Sequence, residues 1–267
     1  MRRVLRGLIL PLSLAAGCVF GFRGEAEVEA SYPLADVIAV RVDLPATPIT
    51  VVGDPEAIGL EVRGAWRATG GTAEVAKANA RTPRLVFERD GGFAELRAVV
   101  PLAVEGQVDF EVEEVRLPPD LDLELRTDLG DVSVIAVEGN LGVDVGAGDV
   151  DVVGGAGGVA VRTGQGDVVL ETSGNADVQA PRGTVVVTQA GPGGNDVVVR
   201  AGGDVQVWLS SDADLDLDLH GREIRVQTGT VSTIDGGRFR RSVGGGHVKI
   251  WVDAGPGRVE VRMKPPA

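Results

Sequence analysis

A short sequence, Gly-Asp-Val, returns at nearly fixed intervals in the middle of this chain, and it constrains the fold more than any other feature. Its first two steps are each 18 residues, and the next two are 17 and 20 residues, with threonine once replacing aspartate. A second alternating apolar run lies between successive copies, as at Leu141 to Val145. Because such alternation is the period of a strand with one buried face, each repeat contains two strands. The copies lie at residues 130–132, 148–150, 166–168, 183–185 and 203–205.

The repeat predicts an all-β fold, a β-solenoid resembling a parallel β-helix, with two short strands in each turn. A single strand cannot bury its apolar face alone, but copies stacked about 4.8 Å apart form a continuous core. A β-sandwich is the competing architecture, because short strands at this spacing also occur there, and the constant step favours the solenoid. We expect the triplet valines to stack inside the solenoid: Val132, Val150, Val168, Val185 and Val205.

Composition and patterning divide the chain into five segments. Residues 1–17 are interpreted as a lipoprotein signal peptide, and residues 18–33, which are polar, as a tether. Residues 34–118 are predicted to form a β-rich N-terminal cap or first coils with one short helix. Residues 119–263 are assigned to the solenoid repeats and residues 264–267 to a tail.

The N-terminal cap allows three local predictions. The sequence TAEVAKANA at residues 72–80 predicts the helix, with Thr72 as its N-cap. Asp90-Gly91-Gly92 predicts the turn of a hairpin. Trp66 shares the parity of the apolar positions in its strand, so it is assigned to the core.

The N-terminus carries the pattern of an export signal that ends in a cysteine. Three arginines precede an apolar stretch from Gly7 to Leu14, and Ala15-Ala16-Gly17-Cys18 follows. This resembles a bacterial lipobox, which implies that Cys18 receives a diacylglycerol and becomes the first mature residue. Ala15 departs from that pattern, in which leucine is usual. Cys18 is the only cysteine, so an internal disulfide is excluded, and an ordinary secretory signal with a chance cysteine is the alternative.

The charge balance restricts the partners. The formal net charge is −13, and removal of residues 1–17 leaves 23 basic and 39 acidic residues, a charge of −16. Such a surface repels nucleic acid, so no nucleic-acid partner is expected. We expect a cell-envelope protein that is held on the exported side of a bacterial membrane by its N-terminal lipid.

The β pattern resembles the bacterial putative-adhesin family of β-strand-repeat proteins over residues 34–263. The matching features are the recurring Gly-Asp-Val steps and four short stretches: Pro48 to Val51, Leu117-Pro118, Val248 to Val252 after a Gly-rich turn, and Arg258 to Val261. The family is of unknown function and is often found in lipoproteins. The resemblance implies a strand-repeat fold, no catalytic residues, and a surface binding or adhesion role.

The residues that could carry chemistry give little sign of an enzyme. His220 and His247 are the only histidines and lack metal-ligand spacing, and no nucleophile elbow, phosphate-binding loop or zinc pattern occurs. No catalytic residue and no cofactor is assigned, and a non-catalytic binding or adhesion module is expected. The alternatives are an envelope scaffold that self-associates and a polysaccharide-degrading solenoid enzyme, for which the repeat loops are too short to build a cleft.

The aspartates of the repeat raise a calcium alternative. They are expected to stack along one edge, where like charges must be solvated, paired or bridged by a cation. Calcium-binding nonapeptide repeats form similar turns, but only residues 191–196 match that unit, and imperfectly. We expect instead that each carboxylate accepts hydrogen bonds from turn amides, without a metal. The residues concerned are Asp131, Asp149, Asp167 and Asp204.

Two of the three tryptophans are predicted to face solvent. Trp208 and Trp251 each lie between two apolar residues that face inward, which leaves both rings outside. Counting strands as alternating between two sheets puts both rings on one sheet, about 10 Å apart. Because exposed aromatic residues mark contact surfaces, Trp208 and Trp251 are the candidate contacts for a glycan or an envelope protein.

Lipidation is tested by the variant Cys18→Ala. Removal of the acylated thiol should move the protein from the membrane fraction to the soluble fraction, because no other anchor is predicted. Cell fractionation gives the location, and mass spectrometry of the N-terminal peptide gives the acyl mass. A variant that stays with membranes, together with an unmodified Cys18 peptide in the wild type, contradicts the prediction.

Overall fold

The computed structural model describes residues 21–45, 48–102, 104, 106–190, 195–210, 214–228, 230–243 and 247–263. Cys18 and residues 1–17 lie outside the described residues, as does the tail at 264–267. In chain order the elements are β1 (Phe22–Pro33), β2 (Ala39–Asp43), β3 (Ile49–Gly53), β4 (Gly59–Gly70), α1 (Ala73–Arg81), β5 (Arg84–Asp90), β6 (Phe93–Val99), β7 (Val108–Leu117), β8 (Asp122–Leu129), β9 (Val132–Ile135), β10 (Leu141–Ala147), β11 (Val150–Gly155), β12 (Val159–Thr163), β13 (Val168–Thr172), β14 (Ala176–Ala180), β15 (Val185–Gln189), β16 (Val197–Ala201), β17 (Val205–Leu209), β18 (Leu215–Thr228), β19 (Thr230–Val243), β20 (Val248–Asp253) and β21 (Arg258–Met263).

Successive strands of the repeat alternate between two sheets that enclose one core. The first sheet has the order β5-β6-β2-β8-β10-β12-β14-β16-β20. The second has the order β1-β4-β7-β3-β9-β11-β13-β15-β17-β21. Pairings that involve β1, β4, β5 or β19 are antiparallel, and the others are parallel. The predicted all-β, solenoid-like fold with two strands per turn is confirmed.

The column of valines predicted from the triplets is present in the second sheet. Val150 pairs with Val132 on one side and Val168 on the other, and Val185 and Val205 continue the same register. Each of the five is 1% exposed or less. The core is therefore a stack of equivalent aliphatic positions, in which one coil supplies the surface that the next coil buries.

The C-terminal end of the solenoid corrects the strand order expected from the sequence. β18 is one 14-residue strand that crosses from one sheet to the other. Its first half pairs with β20 and its second half with β21, which joins the two sheets, and β19 returns antiparallel along it. Since β20 and β21 stack directly on β16 and β17, the β18–β19 hairpin forms the outermost layer although it precedes them in sequence.

The N-terminal end corrects the predicted tether at residues 18–33. Residues 22–33 form β1, which pairs along its whole length with β4. Val28 and Tyr32 on its inner side pack against the core, whereas Glu25, Glu27 and Glu29 are exposed. The polar composition hid a two-residue alternation whose inner positions include glycine and two alanines, which give it little hydrophobic contrast.

Helix α1 and a few aromatic residues close this end of the core. Thr72 caps α1 as predicted, because its Oγ1 accepts a hydrogen bond from the amide of Val75 at 3.2 Å. Trp66 is 3% exposed, as predicted, and stacks on Phe110 with the ring centroids 4.4 Å apart. The Tyr32 ring stacks on a phenylalanine of β5 across the end of the two sheets, so β1 acts as a lid and not as a linker.

The inward and outward assignment is tested by two neighbouring variants. Val150→Asp should destabilise the protein by several kcal/mol, because it buries an unpaired charge between stacked coils. Asp151→Asn, one residue on and exposed, should leave stability nearly unchanged. Thermal unfolding followed by circular dichroism measures both, and equal melting temperatures for the two variants would show that the assignment is wrong.

Candidate functional site

The Gly-Asp-Val corner has a structural role, and each of its three residues makes a different contribution to it. A Cβ atom built on Gly148 would lie 2.1 Å from the carbonyl oxygen of Gly130, and one on Gly166 would lie 2.0 Å from that of Gly148. Gly148 and Gly166 also have positive φ angles of 153° and 144°. Only glycine therefore lets successive coils turn this corner at the strand spacing.

The triplet aspartates connect neighbouring coils through the backbone. Oδ1 of Asp131 accepts a hydrogen bond from the amide of Asp149 at 2.9 Å, and Asp149 accepts one from Asp167 at 2.8 Å. Asp167 accepts one from Thr184 at 2.7 Å, and Asp204 accepts one from the amide of Arg258 in β21 at 2.8 Å. One oxygen of each carboxylate is thus held by an amide of the next coil, the turn contact expected of a structural role.

In this arrangement each aspartate caps a backbone amide of the next coil, and the four carboxylates do not form a cluster of free metal ligands. In the described part of the chain, no group of three or more histidine, cysteine, aspartate or glutamate side chains is placed to hold a metal ion. The stretch that best matched a calcium repeat, residues 191–196, lies mostly outside the described residues.

Cys18, the predicted lipidation site, also lies outside the described residues. No described helix is long and apolar enough to cross a bilayer.

A second ladder of this kind runs along the opposite edge, where each coil enters the first sheet. Asp122 Oδ1 accepts from the amide of Asn140 at 2.8 Å, and Asn140 Oδ1 accepts from Gly158 at 3.1 Å. Asn175 continues it by accepting from Asp196 at 3.0 Å, and Asp196 by accepting from the amide of a lysine in β20 at 2.9 Å. This ladder was not predicted from the sequence, because its positions vary among aspartate, asparagine and glycine.

Beside the second ladder, the outer surface of the first sheet forms an open groove of about 600 Å³. The floor follows a single register, in which Gly142 pairs with Ala160, Ala160 with Asp177, and Asp177 with Val198. Gly142 has no side chain and Ala160 has only a methyl group, so the floor is nearly bare backbone at these two positions, whereas Asp177 and Val198 carry side chains beside them. The ladder side chains of Asp122, Asn140, Asn175 and Asp196 form one rim.

The other rim alternates in charge. On the far side of the floor, Arg126 lies between Asp43 and Asp144, and Asp144 lies between Arg126 and Arg162, each pair in register on adjacent strands. Opposite charges on directly opposed positions stabilise a sheet by a few tenths to ~1 kcal/mol per pair. Because neighbouring charges offset one another, this rim has a polar surface without a net charge of one sign.

Each end of the groove carries an aromatic ring with an arginine on it. Phe93 lines one end, and the guanidinium of Arg41 lies 5.3 Å from its ring centroid. Trp251 follows Val198 in the floor register, and the guanidinium of Arg200 lies 4.9 Å from its centroid. The rings lie on the first and last of the eight strands from β6 to β20, so seven steps of ~4.8 Å, ~34 Å in all, separate them along the solenoid axis.

Ion pairs near the Phe93 end fix the charge state of Glu124. Burial alone would raise the pKa of Glu124, but hydrogen bonds from Arg41 and Arg126 outweigh it and hold that pKa below its ordinary value. At a pH above the pKa that Glu124 has in the unfolded chain, its ionised carboxylate stabilises the fold. This stabilisation is lost as the pH falls through the lower pKa that Glu124 has in the folded protein. Arg41 therefore stays paired with an ionised carboxylate beside the aromatic ring at neutral pH.

The two candidate tryptophans do not lie together, which corrects their predicted placement on one sheet. Trp208 belongs to β17 in the second sheet and Trp251 to β20 in the first. Both are half-buried at outward positions, as their parity predicted. The guanidinium of Arg262 lies 5.1 Å from the Trp208 centroid, so each ring has an arginine partner, but only Trp251 adjoins the groove. The sequence could not assign the sheet, because the β18–β19 hairpin interrupts the count.

The solved structures that resemble this chain include two distant neighbours. No family model and no curated protein matches the chain. A solved structure of a "putative cell adhesion protein" from Clostridium sporogenes aligns with a TM-score of 0.36 at 12% identity, covering 90% of this chain and 100% of the other. A "putative adhesin" from Bacteroides fragilis aligns with a TM-score of 0.39 at 12% identity, covering 88% and 97%. Both descriptions name the kind of protein that the sequence resembles.

The cap function of the aspartate ladder is tested at Asp149. Asp149→Ala should cost about 1 kcal/mol, because the amide of Asp167 loses its acceptor. Asp149→Asn keeps an oxygen at the same place and should cost much less, and Asp151→Ala, beside it but outside the ladder, is the matched control. Urea unfolding measures the three variants. A rise in melting temperature with millimolar calcium that magnesium does not reproduce, and that Asp149→Ala abolishes, would favour the metal site instead.

Proposed function

We propose that the protein is a non-catalytic binding module of the cell envelope, and that the groove of the first sheet holds an extended, unbranched glycan chain. The observation that carries the proposal is the groove itself: a floor that is open at Gly142 and Ala160, two polar rims, Phe93 lining one end, and Trp251 next in register beyond Val198 at the other. Its long axis follows the solenoid axis, so a linear ligand contacts one coil after another.

The chemistry of the groove suits sugars. Aromatic rings at the ends can stack on the apolar faces of sugar rings, and the tryptophan ring combines an apolar surface with a polar edge. Carboxylate and carboxamide oxygens on the ladder rim accept hydrogen bonds from hydroxyl groups, and carboxamide nitrogens donate them. The carboxylates disfavour an acidic polysaccharide, which points to a neutral or amino sugar chain.

An extended peptide fits this surface less well. Peptides that bind sheets add to an edge strand, where unpaired amides and carbonyls supply the hydrogen bonds. The floor strands β8, β10, β12, β14 and β16 each have a neighbour on both sides, so their backbone groups are already paired. A ligand lying on this face meets only side chains and the flat surface of the sheet.

The rim carboxylates also favour binding over catalysis. One oxygen of Asp122 and one of Asp196 accept backbone hydrogen bonds from the next coil, which fixes both side chains in a structural role. A general acid or base needs a carboxyl group that is free to exchange a proton with the substrate.

We assign the membrane anchor of the protein to a diacylglycerol on Cys18, which holds the module on the exported side of a bacterial membrane.

A self-associating scaffold is the second candidate, and the charges on two of the edge strands, β1 and β19, favour it. In the described part of the chain, β1 pairs only with β4 and β19 only with β18. β1 exposes three glutamates, and β19 exposes Arg238, Arg240 and Arg241. However, Arg238 and Arg240 both bind Asp218 of their own chain, and charged edge strands usually oppose pairing. The groove therefore supports binding better than the edges support assembly.

Glycan binding is tested with Trp251→Ala against Trp208→Ala. Both variants remove a half-buried outward tryptophan with an arginine partner, but only Trp251 adjoins the groove. A glycan array identifies ligands for the wild type, and Trp251→Ala should weaken their binding about tenfold, a stacking contribution of ~1.4 kcal/mol.

Trp208→Ala should bind as the wild type does. Ala160→Arg places a long side chain on the groove floor at an exposed site and should abolish binding without loss of stability. Equal effects of the two tryptophan variants contradict the groove. An array without hits, together with concentration-dependent sedimentation, favours the scaffold.

A further inference from the structure

Four apolar side chains are exposed at the N-terminal end of the solenoid, and we call them the N-terminal corner: Phe22, Val75, Val100 and Leu102. Leu102 is fully exposed, and Phe22, Val75 and Val100 are 53%, 40% and 39% exposed. They come from three separate segments of the chain: the start of β1, the first turn of α1, and the loop between β6 and β7, which supplies two of them. Exposed apolar side chains that gather in one place mark interaction surfaces.

Backbone contacts hold these places together. Phe22 pairs with Gly70 at the end of β4. A Cβ atom built on Gly70 would lie 3.0 Å from the carbonyl carbon of Val75, so the first turn of α1 packs directly on that strand end. Next to Gly70, Thr69 donates its amide to the carbonyl of Gln107 at 3.0 Å and accepts from the Gln107 amide at 3.0 Å. Both ends of the β6–β7 connection thus lie at this corner: Gln107 bonds to Thr69, and Val99 pairs with Arg84, which follows α1.

The corner projects beyond the stacked coils. β4 and β7 pair as far as Ala68 with Val108, whereas the pairing of β7 with β3 begins only at Val115. Val115 pairs with Val51, and β3 begins only two residues earlier, at Ile49. β4 and β7 therefore continue for about five residues beyond the start of β3, roughly 17 Å. The apolar side chains therefore lie on a protruding part of the fold, which can meet a flat surface before the coils do.

The predicted lipid is attached close to this protrusion. Cys18 precedes Phe22 by four residues, and a fully extended chain of that length spans at most ~14 Å. We propose that the N-terminal corner is a second membrane contact, whose apolar side chains enter the interfacial region of the lipid bilayer beside the acyl chains on Cys18. The inference rests on the lipid anchor of the proposed function and adds an orientation to it.

The chemistry of an interfacial contact matches what the corner offers. A lipid anchor alone leaves a domain free to pivot about its short connection, and apolar side chains at the headgroup boundary add a second point of attachment. Because the protrusion extends along the strands, engagement of both points directs this end of β1, β4 and β7 toward the bilayer and leaves the solenoid axis roughly parallel to it. The other end of β1, at Pro33, then lies away from the bilayer.

The orientation is tested with single labels on the full-length, acylated chain in phosphatidylcholine vesicles. Cys18 is the only cysteine and its thiol is consumed by the lipid, so Leu102→Cys supplies one reactive thiol for an environment-sensitive fluorophore. Ile58→Cys is the matched control: Ile58 is also an exposed aliphatic residue, 92% exposed, in a turn. It adjoins Gly59, which pairs with Pro33 at the other end of β1, eleven residues and about 36 Å from Phe22.

The label at position 102 should show a blue shift and lose intensity when the vesicles carry a quencher near the headgroups, and the label at position 58 should show neither. Val75→Cys, labelled in the same way, should follow position 102. A chain that floats with the vesicles while its label at 102 stays in water overturns the membrane contact and leaves the anchor intact. A chain that neither floats nor carries an acyl mass overturns the anchor and the contact together, while glycan binding is read separately with Trp251→Ala.

Discussion

The close approach of successive coils at their corners is the constraint on which the rest of the structure depends. Parallel strands in register require every coil to turn at the same place, ~4.8 Å above the last. Glycine removes the side chain that would strike the carbonyl below, as at Gly148 over Gly130. The following aspartate accepts the next coil's amide, and the valine then enters the core. One triplet thus supplies the backbone approach, the hydrogen bond and the apolar contact for each coil.

The sequence predicts whatever this local rule determines and misses what depends on contacts distant in sequence. The stacked valines, the Thr72 cap and the burial of Trp66 follow from period, capping and parity, and the structure has all three. The position of Trp251 depends on β20 pairing with β16 across a hairpin of two 14-residue strands, which no local pattern encodes. β1 was missed for a different reason, since alanine at its inner positions gives a low apolar contrast although pairing with β4 makes it a strand.

The groove was not predictable because it consists of positions that the core leaves free. Inward residues must be aliphatic, but the outward residue of each strand can vary, and Gly142 and Ala160 differ from their neighbours only in being small. Their effect emerges when register places them side by side between Glu124 and Asp177. Trp251 was identified from its parity alone, whereas Phe93 at the other end was not, because nothing in the sequence relates two strands with six other strands between them.

The distribution of charge around the groove bears on what it can select. The protein is strongly acidic, yet the rim that contains Arg126, Asp144 and Arg162 alternates in sign along the axis. Paired charges of this kind offset one another, so the long-range field that would draw in a cationic ligand is reduced there. Discrimination in such a groove must come from shape, stacking and hydrogen bonds at short range. That requirement agrees with a linear ligand of weakly charged units that lies along successive coils.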